Sequence, residues 1–267
     1  MANELADPWA VGDAYERYVG RWSRVAADAF VDWLAWPTGG AWLDVGCGTG
    51  ALSASILRRA TPTSVTGVDS SLSYVKQARR MLTGDGARFS LGRAEHLPVR
   101  SQRFDVVVSA LALNFVPAPE AALAEMVRVA RLNGLVAAYV WDYADGMQLM
   151  RHFWNAAAAL DPAAASLDEG RRFPMCNPES LDALFRRAGL DAIETRAIDV
   201  PTRFRDFDDY WSPFLGGQGP APGYAMALSE DRRVRLRDRL RRTLPAAADG
   251  SIALVARAWA VRGRRGR

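Results

Sequence analysis

The stretch AWLDVGCGTGALSASIL, residues 41–57, sets Gly46, Gly48 and Gly50 between an apolar run and an amphipathic one. A strand that turns into a helix through such a loop lets backbone N–H groups approach a ligand where a Cβ would collide. Around this join, apolar runs and amphipathic stretches alternate from residue 41 to about 141. That is the βαβ rhythm of an α/β fold, a parallel sheet covered by helices. Strands are predicted at 41–45, 64–69, 87–91, 103–111 and 134–141, and helices at 51–60, 71–82 and 119–132. Asn133-Gly134 reads as the cap that stops the last of these helices.

Ahead of this core, residues 7–36 hold four tryptophans, look helical and end at Pro37. Behind it the pattern loosens. Residues 143–175 mix Met, His and aromatics with an Ala-rich run, predicted as helix interrupted at Pro162. Residues 177–190 form a helix with Asn177 as N-cap, Pro178 in the first turn and Gly189 as terminator. Segments 191–200 and 251–262 alternate as half-buried strands do, and 204–224, aromatic and then Gly/Pro-rich, suits a pocket wall and a loop. With 267 residues and 49% hydrophobic content the chain can bury a large core. One domain is expected: a helical lid over 1–37, a cofactor-binding core over 38–142, and substrate-side insertions with C-terminal strands over 143–267.

The formal net charge is +4, with the arginine excess concentrated in 231–242 and 261–267. Charge runs of this kind are usually solvated helix faces, so nucleic acid is not expected as a partner. Cys47 and Cys176 neither build a disulfide framework nor lie in a zinc-type cluster, so a reducing cytoplasm and no metal are expected. The N-terminus lacks a basic start followed by an apolar run, and no stretch approaches the length of a membrane span. The chain therefore reads as a cytoplasmic protein with no membrane partner.

Two ligand classes fit the glycine loop. GCGTGA satisfies the dinucleotide pattern G-x-G-x-x-G/A, and Asp69 follows Gly48 by about 20 residues, the spacing at which a carboxylate meets a ribose diol. Asp44, immediately before the loop, places an anion where a pyrophosphate would approach, and it suits a ligand carrying an ammonium group better. S-adenosylmethionine has such a group.

The ordered segments LDVGCGTG (43–50), VTGVDSS (65–71), GRAEHLPVRSQRFDVVVSALALNFVP (92–117) and LNGLVAAYV (132–140) resemble the consecutive motifs of class I S-adenosylmethionine-dependent methyltransferases. The branch is similar to the ubiquinone/menaquinone-biosynthesis C-methyltransferases, and the resemblance covers roughly residues 12–142. It implies a Rossmann-like, seven-stranded, mostly parallel sheet with an antiparallel final strand, helices on both faces, N-terminal helices and a small helical substrate cap. It further implies that Gly46, Cys47 and Gly48 belong to the loop cradling the cofactor, with Asp44 near its amino group and Asp69 on its ribose hydroxyls. Ser70 and Leu72 would border the adenine. Ser109 would contribute backbone at the methionine end, and Asn114 with Phe115 falls beside the reactive methyl. In the third motif the family commonly has Asp where this chain has Arg93, which offers no acceptor. The adenine would then rely on backbone groups at Ala94 and Glu95, or Arg93 would stack on its ring. From YERYVGRWS (15–23), Tyr18, Arg21 and Trp22 are the candidates to fold over the cofactor, Arg21 suiting its carboxylate.

Methyl transfer from a sulfonium is an in-line displacement with an activated leaving group, so no obligatory catalytic motif is expected and the catalytic residues stay unassigned. A base is needed only when the acceptor must lose a proton. His152 is the candidate base, and Tyr143, Trp154 and Trp211 are candidate substrate-binding residues within an aromatic set that favours an aromatic or lipophilic small molecule. The competing readings are an RNA or protein methyltransferase, an NAD-dependent oxidoreductase, and a non-methylating binder of S-adenosylmethionine. Oligomeric state is not legible in the sequence.

Overall fold

A computed structural model of the chain describes residues 19–84, 86–217 and 219–266. Five strands, β1 (Ala41–Val45), β2 (Ser64–Asp69), β3 (Ala87–Leu91), β4 (Phe104–Ala110) and β5 (Ala130–Trp141), pair in parallel. β1 and β4 are mostly apolar because both faces of the sheet are covered: Trp42, Leu43, Val106, Val107 and Val108 are all fully buried. Two later strands, β6 (Leu190–Phe204) and β7 (Ile252–Arg265), complete a seven-stranded sheet in the order β3-β2-β1-β4-β5-β7-β6. β7 runs antiparallel to β5, with Tyr139 opposite Ala260. The expected α/β architecture is thus the observed one. The strand order reverses between β1 and β4, so their C-terminal ends flank the switch point at which open α/β sheets bind ligands.

The helices follow their caps. α1 (Arg21–Leu34) buries Ala26, Ala27, Phe30 and Leu34, and the Phe30 ring meets Tyr139 at 4.7 Å. Arg262 donates to the carbonyls of Trp33 and Leu34, satisfying the last turn of that helix. α2 (Ala51–Arg59) follows the glycine loop, and α3 (Leu72–Met81) has Ser71 as N-cap, its hydroxyl accepting from Tyr74 N–H.

α4 (Pro119–Val129) is shorter than the predicted 119–132, and β5 begins directly after it. Asn133 does take a left-handed conformation (φ 60°), but inside the strand. Ala130 faces Phe104 while Leu135 faces Val106, a slip in register that makes a bulge. A helix end and a bulge both call for a left-handed residue, which is why the pair misleads.

Residues of the chain cluster into two compact units. One comprises 23–141, 175–198 and the chain from 258 onward, and it carries β1–β5, most of β6 and β7, and α7 (Pro178–Arg187), whose N-cap Asn177 accepts from Ser180 N–H at 2.8 Å. The other comprises 142–174, 199–257 and, among described residues, 19–22. It contains α5 (Gln148–Leu160), a 3-10 turn beginning at Pro162, α6 (Glu169–Arg172), α8 (Phe207–Trp211), α9 (Pro220–Ala227) and α10 (Glu230–Thr243). The segment 204–224, predicted as wall and loop, is therefore largely helical. Asp206 caps α8 by accepting from Asp209 N–H at 2.8 Å, and prolines open both the 3-10 turn Ser212–Gly216 and α9, where the missing N–H costs nothing. The core of this unit is aromatic: Phe153 stacks on Phe214 at 4.5 Å, and the Tyr210 hydroxyl donates to the Leu149 carbonyl at 2.9 Å. No described helix is long and apolar enough to cross a membrane.

Candidate functional site

β1 ends in Asp44 and Val45, and the chain then turns through Gly46–Gly50 into α2. Gly46 has φ +73°, and a Cβ there would lie 2.5 Å from that of Ala112, just past β4. Only glycine allows this approach. The N–H groups of Gly46 and Cys47 both donate to the Val68 carbonyl, at 2.8 and 3.1 Å, which ties the loop to the end of β2. Gly48 (φ +53°) has open space where a side chain would stand, and its N–H donates to Asp69 Oδ2 at 2.8 Å. Asp69 Oδ1 accepts from Ser71 N–H at 2.8 Å. The last residue of β2 therefore fastens two backbone turns at once.

Asp44 is completely buried. Its Oδ2 accepts from the Ser53 hydroxyl at 2.7 Å, while Oδ1 has no hydrogen-bond partner. Burial pushes its carboxyl up to about 7; the Ser53 hydrogen bond opposes that shift and the neighbouring Asp69 charge adds to it. An unpaired buried acceptor costs roughly 1–3 kcal/mol, so the chain carries at this spot an acceptor left for something else. Ser53 belongs to no motif of the glycine loop. Its signal was a hydroxyl on the otherwise apolar face of α2, pointing back to β1.

Cys47 sits in the loop, but its thiol packs in an apolar cluster with Val75, Ala78 and Phe89, and burial drives the thiol upward in pKa. The thiol also reaches the Gly48 carbonyl of the turn, at 3.9 Å. Ser70 and Leu72 lie exposed beyond β2. Arg93 is exposed and paired with Glu95 at 3.1 Å, with Ala94 half-buried between them. Ser109 is buried on β4 opposite Ala138. Asn114 lies on the 3-10 turn Leu113–Phe115 and is buried, with neither amide atom hydrogen-bonded.

In the other unit, Arg21 spreads its guanidinium over the rings of Trp22 and Phe204, at 4.4 and 4.9 Å. Its Nη1 donates to Asp209 at 3.5 Å, and its Nε and Nη2 are buried without partners. Tyr18 lies outside the described residues. Tyr143 is buried against Phe173, with ring centroids 5.5 Å apart, and Trp211 is buried beside Phe207 and Phe214. Trp154 is buried and its indole N–H donates to Glu169, whose carboxyl burial raises to about 7. Nothing local in the sequence marks Glu169, because its burial comes from tertiary packing. His152 is half-buried, and burial lowers its pKa. The arginine run on α10 is partly neutralised within the unit: Arg232 pairs with Asp161, Arg233 with Glu230 and Arg241 with Asp208.

A reversed strand order, a glycine turn at the switch point, Asp44 near the end of β1 and Asp69 at the end of β2 together make a site suited to a nucleoside-bearing ligand. Residues 43–138 match the methyltransferase-domain family. Over 186 residues the chain is 34% identical to 2-methyl-6-phytyl-1,4-hydroquinone methyltransferase of Synechocystis, covering 68% of this chain and 57% of that protein. It is 29% identical to demethylmenaquinone methyltransferase of Roseiflexus castenholzii, covering 61% and 73%. The chain spans about half the length of several of the relatives it matches. The fold is also that of Haemonchus contortus phosphoethanolamine N-methyltransferase 2 in complex with S-adenosyl-L-methionine, with a TM-score of 0.60 at 14% identity over 99% of this chain and 58% of that one. Residues 43–138 thus carry the motifs of the methyltransferase-domain family, and the chain is similar to the quinone-biosynthesis methyltransferases.

Proposed function

We propose that this protein is an S-adenosylmethionine-dependent methyltransferase acting on a small aromatic or lipophilic acceptor. The observation that carries the reading is the pair of acids around the glycine turn: Asp44, with one buried oxygen unpaired, and Asp69, at the end of β2. A cationic ammonium fits the first and a vicinal diol fits the second, and S-adenosylmethionine bears both groups. The open space at Gly48 admits a ligand against the backbone. A dinucleotide's pyrophosphate would instead meet the buried Asp44 carboxylate, which disfavours the NAD reading.

In this reading Asp44 holds the amino group and Asp69 the ribose, with the loop 46–50 shaping the cradle. Ala94 and Glu95 border the adenine, and Ser109 supplies backbone at the methionine end. When bound, S-adenosylmethionine supplies a methyl group on a sulfonium, whose departure leaves a neutral thioether. The chain's own task is then to align the acceptor and exclude water. His152, kept neutral near pH 7 by its lowered pKa, can take a proton where the acceptor has one to lose. The relatives that methylate hydroquinones and demethylmenaquinone favour a lipophilic acceptor over RNA or protein. The buried free cysteines suit a reducing cytoplasm.

The test supplies methyl-labelled S-adenosylmethionine with host-cell extract split into small-molecule, protein and RNA fractions. Label should enter the small-molecule fraction; label in RNA or protein would overturn the acceptor class. His152→Ala should leave the affinity for S-adenosylhomocysteine unchanged in calorimetry, within about twofold. A larger loss would remove His152 from the acceptor side.

A further inference from the structure

Asn114 has a property that the cofactor roles leave unused. The residue is 8% exposed, and neither Oδ1 nor Nδ2 has a hydrogen-bond partner. Its position is firmly set. Leu111, in a left-handed conformation (φ 54°), donates to the Tyr139 carbonyl at 2.8 Å, Ala112 lies against Gly46, and Leu113 is buried in the core. The turn that follows β4, which meets the glycine loop through Ala112, therefore carries a buried primary amide, followed by the exposed Phe115.

An amide both donates and accepts. A carboxylate would satisfy only Nδ2 and an ammonium only Oδ1, each leaving the other atom buried and unpaired. A neutral hydroxyl satisfies both, accepting from Nδ2–H and donating to Oδ1. The geometry points to Asn114 as the residue that binds the polar group of the methyl acceptor and selects a neutral phenolic or alcoholic hydroxyl. The assignment rests on the methyltransferase reading above.

The test measures binding, with no turnover. S-adenosylhomocysteine is titrated into wild type, Asn114→Leu and Asn114→His; each complex is then titrated anaerobically with 1,4-naphthohydroquinone and with naphthalene, which lacks the hydroxyls. Wild type should favour the hydroquinone at least tenfold. Asn114→Leu should lose that preference while binding S-adenosylhomocysteine within twofold of wild type, and Asn114→His, which restores one donor and one acceptor, should retain it in part. A wild type that binds S-adenosylhomocysteine without preferring the hydroquinone overturns this assignment alone. So does an Asn114→Leu variant whose affinity for S-adenosylhomocysteine falls tenfold, because Asn114 would then serve the cofactor. A wild type that does not bind S-adenosylhomocysteine overturns the methyltransferase reading itself.

Discussion

Asp69→Ala should weaken the binding of S-adenosylhomocysteine by about 1.5–3 kcal/mol, the scale of hydrogen bonds to a charged group, or roughly ten- to 150-fold. Two separate losses contribute. The carboxylate would no longer accept from the ribose hydroxyls, and the N–H groups of Gly48 and Ser71 would lose the acceptor that fastens both turns. A comparison of S-adenosylhomocysteine with its 2′-deoxyribose analogue separates them, as in a double-mutant cycle. Wild type should prefer the full ribose and the variant should show little preference. If the variant weakens both ligands equally and keeps the preference, Asp69 shapes the loop without touching the sugar.

The same residue shows what a sequence can and cannot reveal. Asp69 was legible because its place depends on chain order alone: a strand, its last residue, and a fixed interval from the glycines. The sheet was legible for a like reason, since buried parallel strands are short apolar runs separated by amphipathic helices. The bulge at Asn133 was not, because a left-handed residue looks the same at a helix end and inside a strand, and only the pairing of Ala130 with Phe104 decides between them. The segment 204–224 misled because its aromatics and prolines resemble a loop wall, whereas Asp206 and the two prolines are helix starts. The positions of Cys47 and Trp154 follow from chain order, whereas the direction of each side chain is settled by packing: the thiol joins Phe89 and the indole reaches Glu169. The hydrogen bond from Ser53 to Asp44 and the unpaired amide of Asn114 are likewise tertiary facts, and they give the site its chemical character.

Asp44 leads to the second large effect, and its sign can be worked out. Folding raises the carboxyl from 3.8 to about 7, chiefly by burial. The folded, ligand-free protein thus holds this proton more tightly than the unfolded chain, so the group's contribution to stability falls as pH rises from about 4 to 7 and is flat above. At pH 8 the buried charge costs roughly 4 kcal/mol relative to an exposed carboxyl. An ammonium needs the ionised form. The affinity for S-adenosylhomocysteine should therefore rise nearly tenfold per pH unit between about 5.5 and 6.5, level off above about 7.5, and fall again once the ligand's own amine loses its proton. Asp44→Asn keeps an oxygen for the Ser53 hydroxyl and removes the charge. It should bind S-adenosylhomocysteine more weakly by about 1.5–3 kcal/mol at pH 8, come close to wild type at pH 5.5, and show no rise between them. Thermal unfolding of the ligand-free variant at pH 8 should show no loss of stability, since the substitution relieves a buried, half-satisfied charge. Equal affinity for the two proteins at pH 8 would mean that the free oxygen of Asp44 does not meet the ammonium, and the buried acid would then be a cost the fold bears for some other ligand group.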